Sequence, residues 1–130
     1  MDQDIRFQMR MACTASAGGT AYLAVPYRCT LRDVRATAQA AVSSVASSAS
    51  TLSIAVTETS SSGSLGTVAT SLASSNLAAG ALGEYTADAS SGSNVLAADT
   101  VLKFDIGAAA LSSACAFVLD IELDPYARSL

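Results

Sequence analysis

The sequence predicts an all-β domain, a sandwich or a barrel of about eight short antiparallel strands. Three observations predict it. Apolar and polar residues alternate with period two in several separate segments. Turn-forming clusters of Gly, Ser, Asn, Asp and Pro interrupt them about every eight to twelve residues. The chain of 130 residues has the length of one domain, and about half of it is Ala, Ser, Thr and Gly, far above ordinary usage. Small side chains give thin cores and flat, closely approaching surfaces, so help from neighbouring copies is expected.

The elements follow in order. Ile5, Phe7, Met9 and Met11 alternate with Arg6, Gln8 and Arg10, the pattern of a half-buried strand. The segment CTASAGGT, with Gly18-Gly19, reads as a turn. Tyr22, Leu23 and Val25 form a short apolar strand that Pro26 ends, because proline gives no N–H to a ladder. The pattern resumes with Cys29, Leu31 and Val34 inward and Arg28, Arg32 and Arg35 mostly outward. The inward set slips by one residue between Leu31 and Val34, which predicts a bulge near Arg32–Asp33. Residues 36–50 read as the end of a strand and a Ser/Ala loop. Apolar spacing at Val34, Ala38, Ala41, Val45 and Ala49 keeps a short helix as the alternative.

Leu52, Ile54 and Val56 mark a strand, and SSSGS at 60–64 a turn. Thr67–Leu72 and Leu82–Ala87 read as weaker strands, with DASSGSN after them as a loop. In TVLKFDI, Leu102, Phe104 and Ile106 share one face. The strongest strand is CAFVLDIEL: Phe117, Leu119, Ile121 and Leu123 face one way, Val118, Asp120 and Glu122 the other. Asp124-Pro125 ends it. Strands resume after each Ser-rich stretch, so residues 1–130 read as a single domain. Segments 1–11 and 124–130, polar or amphipathic, are expected to reach neighbours.

Composition excludes several function classes. The net charge is -4, without the basic surface that nucleic acid needs, so no nucleic-acid partner is expected. No apolar run is long enough to span a membrane as a helix, and MDQDIRFQMRM has no signal-peptide core. There is no His, so neither a Ser-His-Asp nor a Cys-His site can be built from this chain. Cys13, Cys29 and Cys115 lack metal-ligand spacing. They read as reduced thiols in or near the core, made in a reducing cytoplasm.

Asp120 and Glu122 share a strand face and could serve as a glycosidase pair. The bland reading, a solvated face whose charges discourage edge pairing, is favoured. A chain without Trp lacks the usual sugar platform. Asp88, Asp99 and Asp105 could ligate calcium, but no loop spacing supports it. No cofactor and no metal is expected. Tyr27 and Tyr126 are candidate interface anchors, and Arg28, Arg32 and Arg35 line a candidate partner-facing surface.

Three stretches together, AYLAVPYRCTLRDVRATAQ, VLAADTVLKFDI and ACAFVLDIEL, resemble the small jelly-roll proteins that decorate capsids of tailed bacteriophages, known as decoration, cement or head-fibre-base proteins. The resemblance runs from Ala21 to Leu123. It implies a jelly-roll-like β-sandwich, a homotrimer on the outer surface of the virion, and the major capsid protein as partner. In that setting the chain is a non-enzymatic clamp between capsomers, and the arginine face meets an acidic patch on a sibling or the shell. The alternative is a trimeric fibre or spike module that binds a host receptor or glycan.

Overall fold

The computed structural model describes residues 5–14, 18–42, 51–59, 64–72, 76–87, 95–106 and 114–125. Nine strands account for most of them: β1 (Ile5–Cys13), β2 (Gly19–Ala24), β3 (Cys29–Ala38), β4 (Thr51–Glu58), β5 (Ser64–Ser71), β6 (Leu82–Ala87), β7 (Val95–Leu96), β8 (Val101–Ile106) and β9 (Cys115–Asp124). All pairings are antiparallel. The strands form one sheet in the order β1-β9-β3-β6-β5-β4-β8-β2, with β7 against β3. β1 and β2, the two ends of that order, are joined by a hairpin whose bridge is Thr14–Gly18. The sheet is therefore nearly closed and barrel-like. Gly18 sits at φ 73°, a conformation that costs a side chain energy and glycine nothing.

The alternation read from the sequence is the alternation of burial. In β9 the residues Phe117, Leu119, Ile121 and Leu123 are buried, while Val118, Asp120 and Glu122 are half-buried on the outside. β8 points Leu102, Phe104 and Ile106 inward, and β4 points Leu52, Ile54 and Val56 inward. The interior is apolar, with Thr70 the buried polar side chain among the described residues. Charges lie outside, the inverse of a transmembrane barrel, which shows an apolar band to lipid. No described helix is long and apolar enough to cross a membrane.

Two irregularities shape the sheet. In β3 the register against β9 shifts between Leu31 and Asp33, so Arg32 is the extra residue and the predicted bulge is there. In β5 the register against β4 passes from Val56–Gly66 to Thr57–Ser64, which leaves Leu65 as the extra residue. Ser64 therefore opens a strand and does not belong to the expected turn. The rest of that turn, residues 60–63, lies outside the described residues, as does the loop DASSGSN.

Pro26 separates β2 from β3, as its missing donor requires. Just before it, the Val25 amide donates to the Thr100 carbonyl at 2.9 Å. β3 runs to Ala38 with Ala36 and Ala38 buried, and Ala41 is exposed. That is strand burial, and the helical spacing does not describe it. Val42 then bridges Leu77, and residues 43–50 lie outside the description. β7, two residues long, was not foreseen.

Candidate functional site

The expected arginine surface lies on the outer face of β1, β9 and β3. Arg32 and Arg35 stand exposed on β3, and Arg28 is exposed just before it. Arg32 Nη1 lies 3.4 Å from Asp124 Oδ2, and Arg35 Nε lies 3.1 Å from Asp33 Oδ2. The arginines are thus partly engaged within the chain. Exposed pairs of this kind contribute about 0–1 kcal/mol, so a partner's carboxylate can compete for them. Tyr27 is half-buried and packs against the core. Tyr126 lies outside the described residues.

The Asp120/Glu122 pair faces outward together, as its spacing requires. Arg6 on β1 holds both: Nη1 is 3.4 Å from Asp120 Oδ2 and Nη2 is 2.9 Å from Glu122 Oε1. Directly opposite strand register brings these residues together, since Arg6 pairs with Glu122. The arrangement is a cross-strand charge cluster, and because β9 is flanked by β1 and β3 its charges do not guard a sheet edge. Sequence reasoning missed Arg6, because its partners lie more than a hundred positions away.

Of the calcium candidates, Asp99 and Asp105 do not converge. Asp99 occupies a turn at φ 67°, and its amide donates to the Val25 carbonyl at 2.9 Å. Asp105 lies at the other end of β8, roughly 20 Å along the strand, and accepts from Thr20 Oγ1 at 3.0 Å. Asp88 is outside the described residues. Among the described residues no group of three or more His, Cys, Asp or Glu is placed to hold a metal ion.

Open hollows are formed among the described residues, and two of them bear on the site. The first, about 460 Å³, lies at the β1–β2 hairpin end of the barrel, and its lining includes Arg10, Cys13, Thr14, Gln39, Ala40 and Cys115. The second, about 370 Å³, lies on the outer face among Tyr22, Thr57, Glu58, Thr59 and Lys103. Tyr22 is 57 % exposed there. Its ring lies outside the core cluster, and its period-two position between the inward Ala21 and Leu23 is the signal the sequence offers.

All three cysteines are free and buried. Burial pushes the Cys13 thiol up from 9.0 to about 11, with the nearby Cys115 and Asp105 adding to the effect. The Cys29 thiol is also raised, by burial and then by Asp124. A thiol that holds its proton more tightly when folded stabilises the fold below its unfolded pKa. That contribution is lost as pH rises from about 9 towards 11. The denaturant midpoint is therefore expected to fall between pH 9 and pH 11 by more in the wild type than in Cys13→Ala. Equal slopes in the two proteins would contradict the assignment.

No family model, no curated protein and no solved structure matches the chain.

Proposed function

We propose that this chain is a non-enzymatic structural protein that decorates the outer surface of a tailed-bacteriophage capsid, as a homotrimer bound to the major capsid protein. One observation carries the reading. The strand order can be read as two runs of four, β1-β9-β3-β6 and β5-β4-β8-β2, joined by the β5–β6 pairing, and this order supports a double Greek-key, jelly-roll reading of the barrel-like sheet. The three stretches that resemble decoration proteins fall on β2–β3, β7–β8 and β9. These strands pair with one another, β2 with β8 and β3 with β7 and β9.

The two outer faces suit different contacts. The first run carries Arg6, Arg32, Arg35, Asp33, Asp120 and Glu122, and its exchangeable ion pairs fit a charged shell surface. Within the second run the β4–β5 part shows Ser53, Ala55, Thr67 and Ala69, small uncharged groups that allow close approach of a sibling, while Tyr22, Glu58 and Lys103 lie beside it towards β8 and β2. Light scattering after size exclusion is expected to give about three times 13.0 kDa, the closed oligomer such a clamp needs. The protein should bind purified shells that lack it, and Arg32→Glu with Arg35→Glu should weaken that binding at least tenfold. Failure of the wild type to bind such shells would sink the reading.

A second reading, a trimeric fibre or spike module for a host receptor or glycan, is favoured by Tyr22. An exposed aromatic between Glu58 and Lys103 could stack on a sugar. Glycan binding abolished by Tyr22→Ala would shift the assignment to this reading.

A further inference from the structure

We propose that the seam between β1 and β2 is a strand-addition site, filled by an extended segment of another polypeptide whose residues are alternately apolar and acidic. The inference does not depend on the decoration role. β1 and β2 are the two ends of the sheet order, and among the described residues the Thr14–Gly18 bridge is what joins them. The hydrogen bonds on either side fix which backbone groups face the seam. Thr14 and Gly18 exchange amide-to-carbonyl bonds of 2.9 and 3.1 Å, so Thr14 faces β2. The Gln39 amide donates to the Ala116 carbonyl at 2.9 Å, so Ala116 faces β3. Its register partner Ala12 therefore turns its own groups to the seam. Successive residues of an antiparallel strand face alternate neighbours. Arg6, Gln8, Arg10 and Ala12 thus present N–H and C=O to the seam, while Phe7, Met9 and Met11 bond β9. On the other side the Val25 amide donates to the Thr100 carbonyl, towards β8, which leaves Thr20, Tyr22 and Ala24 facing the seam. No strand among the described residues pairs with either row.

The seam opens away from the hairpin. A Cβ on Gly19 would meet the Ala12 carbonyl oxygen at 2.5 Å, so the two strands touch beside the turn. Met11, Cys13 and Ala21 are buried there. Further along, Ile5, Phe7 and Met9 on β1 and Leu23 on β2 point inward yet are only half-buried. Inward residues of the inner strands, such as Leu119, Ile121 and Phe104, are fully buried. An added strand would cover this apolar margin and give ladder partners to Arg6, Gln8 and Arg10.

Charge specifies the occupant. The outward side chains beside the open part of β1 are Arg6, Gln8 and Arg10. Arg6 is held by Asp120 and Glu122, and Arg10 makes no ion pair among the described residues. A second copy's β1, laid antiparallel and centred on Gln8, would set arginine opposite arginine, which opposes pairing. β9 shows what β1 accepts on its other edge: Phe117, Leu119 and Ile121 inward, Asp120 and Glu122 outward. A segment of that pattern fits the seam, with acidic residues opposite Arg6 and Arg10 and apolar ones over Phe7 and Met9. In such strand addition the main chain supplies affinity and alternate side chains choose the partner.

The test uses the full chain and an end-capped synthetic peptide AFVLDIELD, the sequence of residues 116–124, with amide hydrogen exchange resolved by NMR. In the free chain the Gln8 and Arg10 amides are expected to exchange more than about tenfold faster than those of Phe7 and Met9. Saturating peptide should slow Gln8 and Arg10 by about tenfold and leave Phe7 and Met9 unchanged. The same peptide with lysine at its three acidic positions should bind about tenfold more weakly, and Arg10→Glu should remove most of that preference. Gln8 and Arg10 amides as slow as their neighbours in the free chain, or unmoved by the peptide, would overturn the proposal. So would faster exchange at Phe7 and Met9 with peptide, which would mean that it displaces β9, and so would equal binding of the two peptides. Protection of Gln8 and Arg10 that grows with protein concentration alone would overturn it in favour of a second copy. No shell takes part in these measurements, so their outcome is separate from that of capsid binding.

Discussion

Phe117→Ala is expected to destabilise the fold by about 3–5 kcal/mol, the upper range for a core truncation. Total stability for a domain of this kind is about 5–15 kcal/mol, so the variant should sit near the edge of folding. The reason is compositional. Much of the interior is Ala or Val, including Ala21, Ala36, Ala38 and Val34, and among the described residues Phe104 and Phe117 are the buried rings that fill it. Phe117 stands in β9 between Met11 on β1 and Ala38 on β3. Its removal leaves a cavity that small neighbours cannot collapse to fill. Urea denaturation measures the loss. Val118→Ala, one position along and facing outward, is expected to cost less than about 1 kcal/mol. Equal costs at the two positions would mean that β9 does not bury the face described.

Gly66→Ala is expected to cost about 3 kcal/mol, at the upper end for overpacking. A Cβ at Gly66 would collide with the Thr86 carbonyl oxygen and come within 2.5 Å of the Tyr85 ring. One of these obstacles is backbone and the other a large aromatic, so neither yields cheaply. The position matters because β5 and β6 join the two runs of four strands. The Tyr85 ring covers the bare backbone of Gly66, in the way aromatic residues compensate for glycine in sheets. Its hydroxyl donates to the carbonyl of the bulged Leu65 at 2.8 Å. Tyr85→Phe should cost about 1 kcal/mol through that bond alone. A thermal melt of Gly66→Ala unchanged from wild type would show that the β5–β6 join is not closed in this way.

What the sequence made legible follows from the reach of its signals. Period-two alternation acts over neighbours, so β1, β8 and β9 and their inward faces were readable residue by residue. The one-residue slip after Leu31 located the bulge at Arg32, because a bulge is a local change of phase. The start of β5 was hidden for the same reason in reverse. Leu65 and Gly66 are adjacent and both buried, which breaks alternation where the strand begins. β7, with Val95 and Leu96 alone, is shorter than one full period. Val34, Ala38 and Ala41 suggested a helix only because Ala fits either face of either element.

Neighbour relations between distant strands were not legible at all. Nothing near Arg6 indicates Asp120 and Glu122, and nothing near Cys13 indicates Cys115. Each pairing depends on β9 lying beside β1, a fact of topology and not of local pattern. The outward arginines of β3 were readable as outward. Their ion pairs were not, since Asp124 approaches Arg32 across 92 positions of chain.

The place of β9 between β1 and β3 also sets a timetable. During synthesis the strand that must insert beside both is the last of the nine to leave the ribosome. Until Cys115–Asp124 emerges, β1 has no ladder partner and β3 has one edge bare. Early chains must therefore wait with apolar strand surface exposed, the condition under which β-rich folds are slow and prone to pair with the wrong molecule. The charges at Arg6, Arg10, Arg32 and Arg35 lie on those two waiting strands, where they would hold nascent copies apart until the final segment arrives.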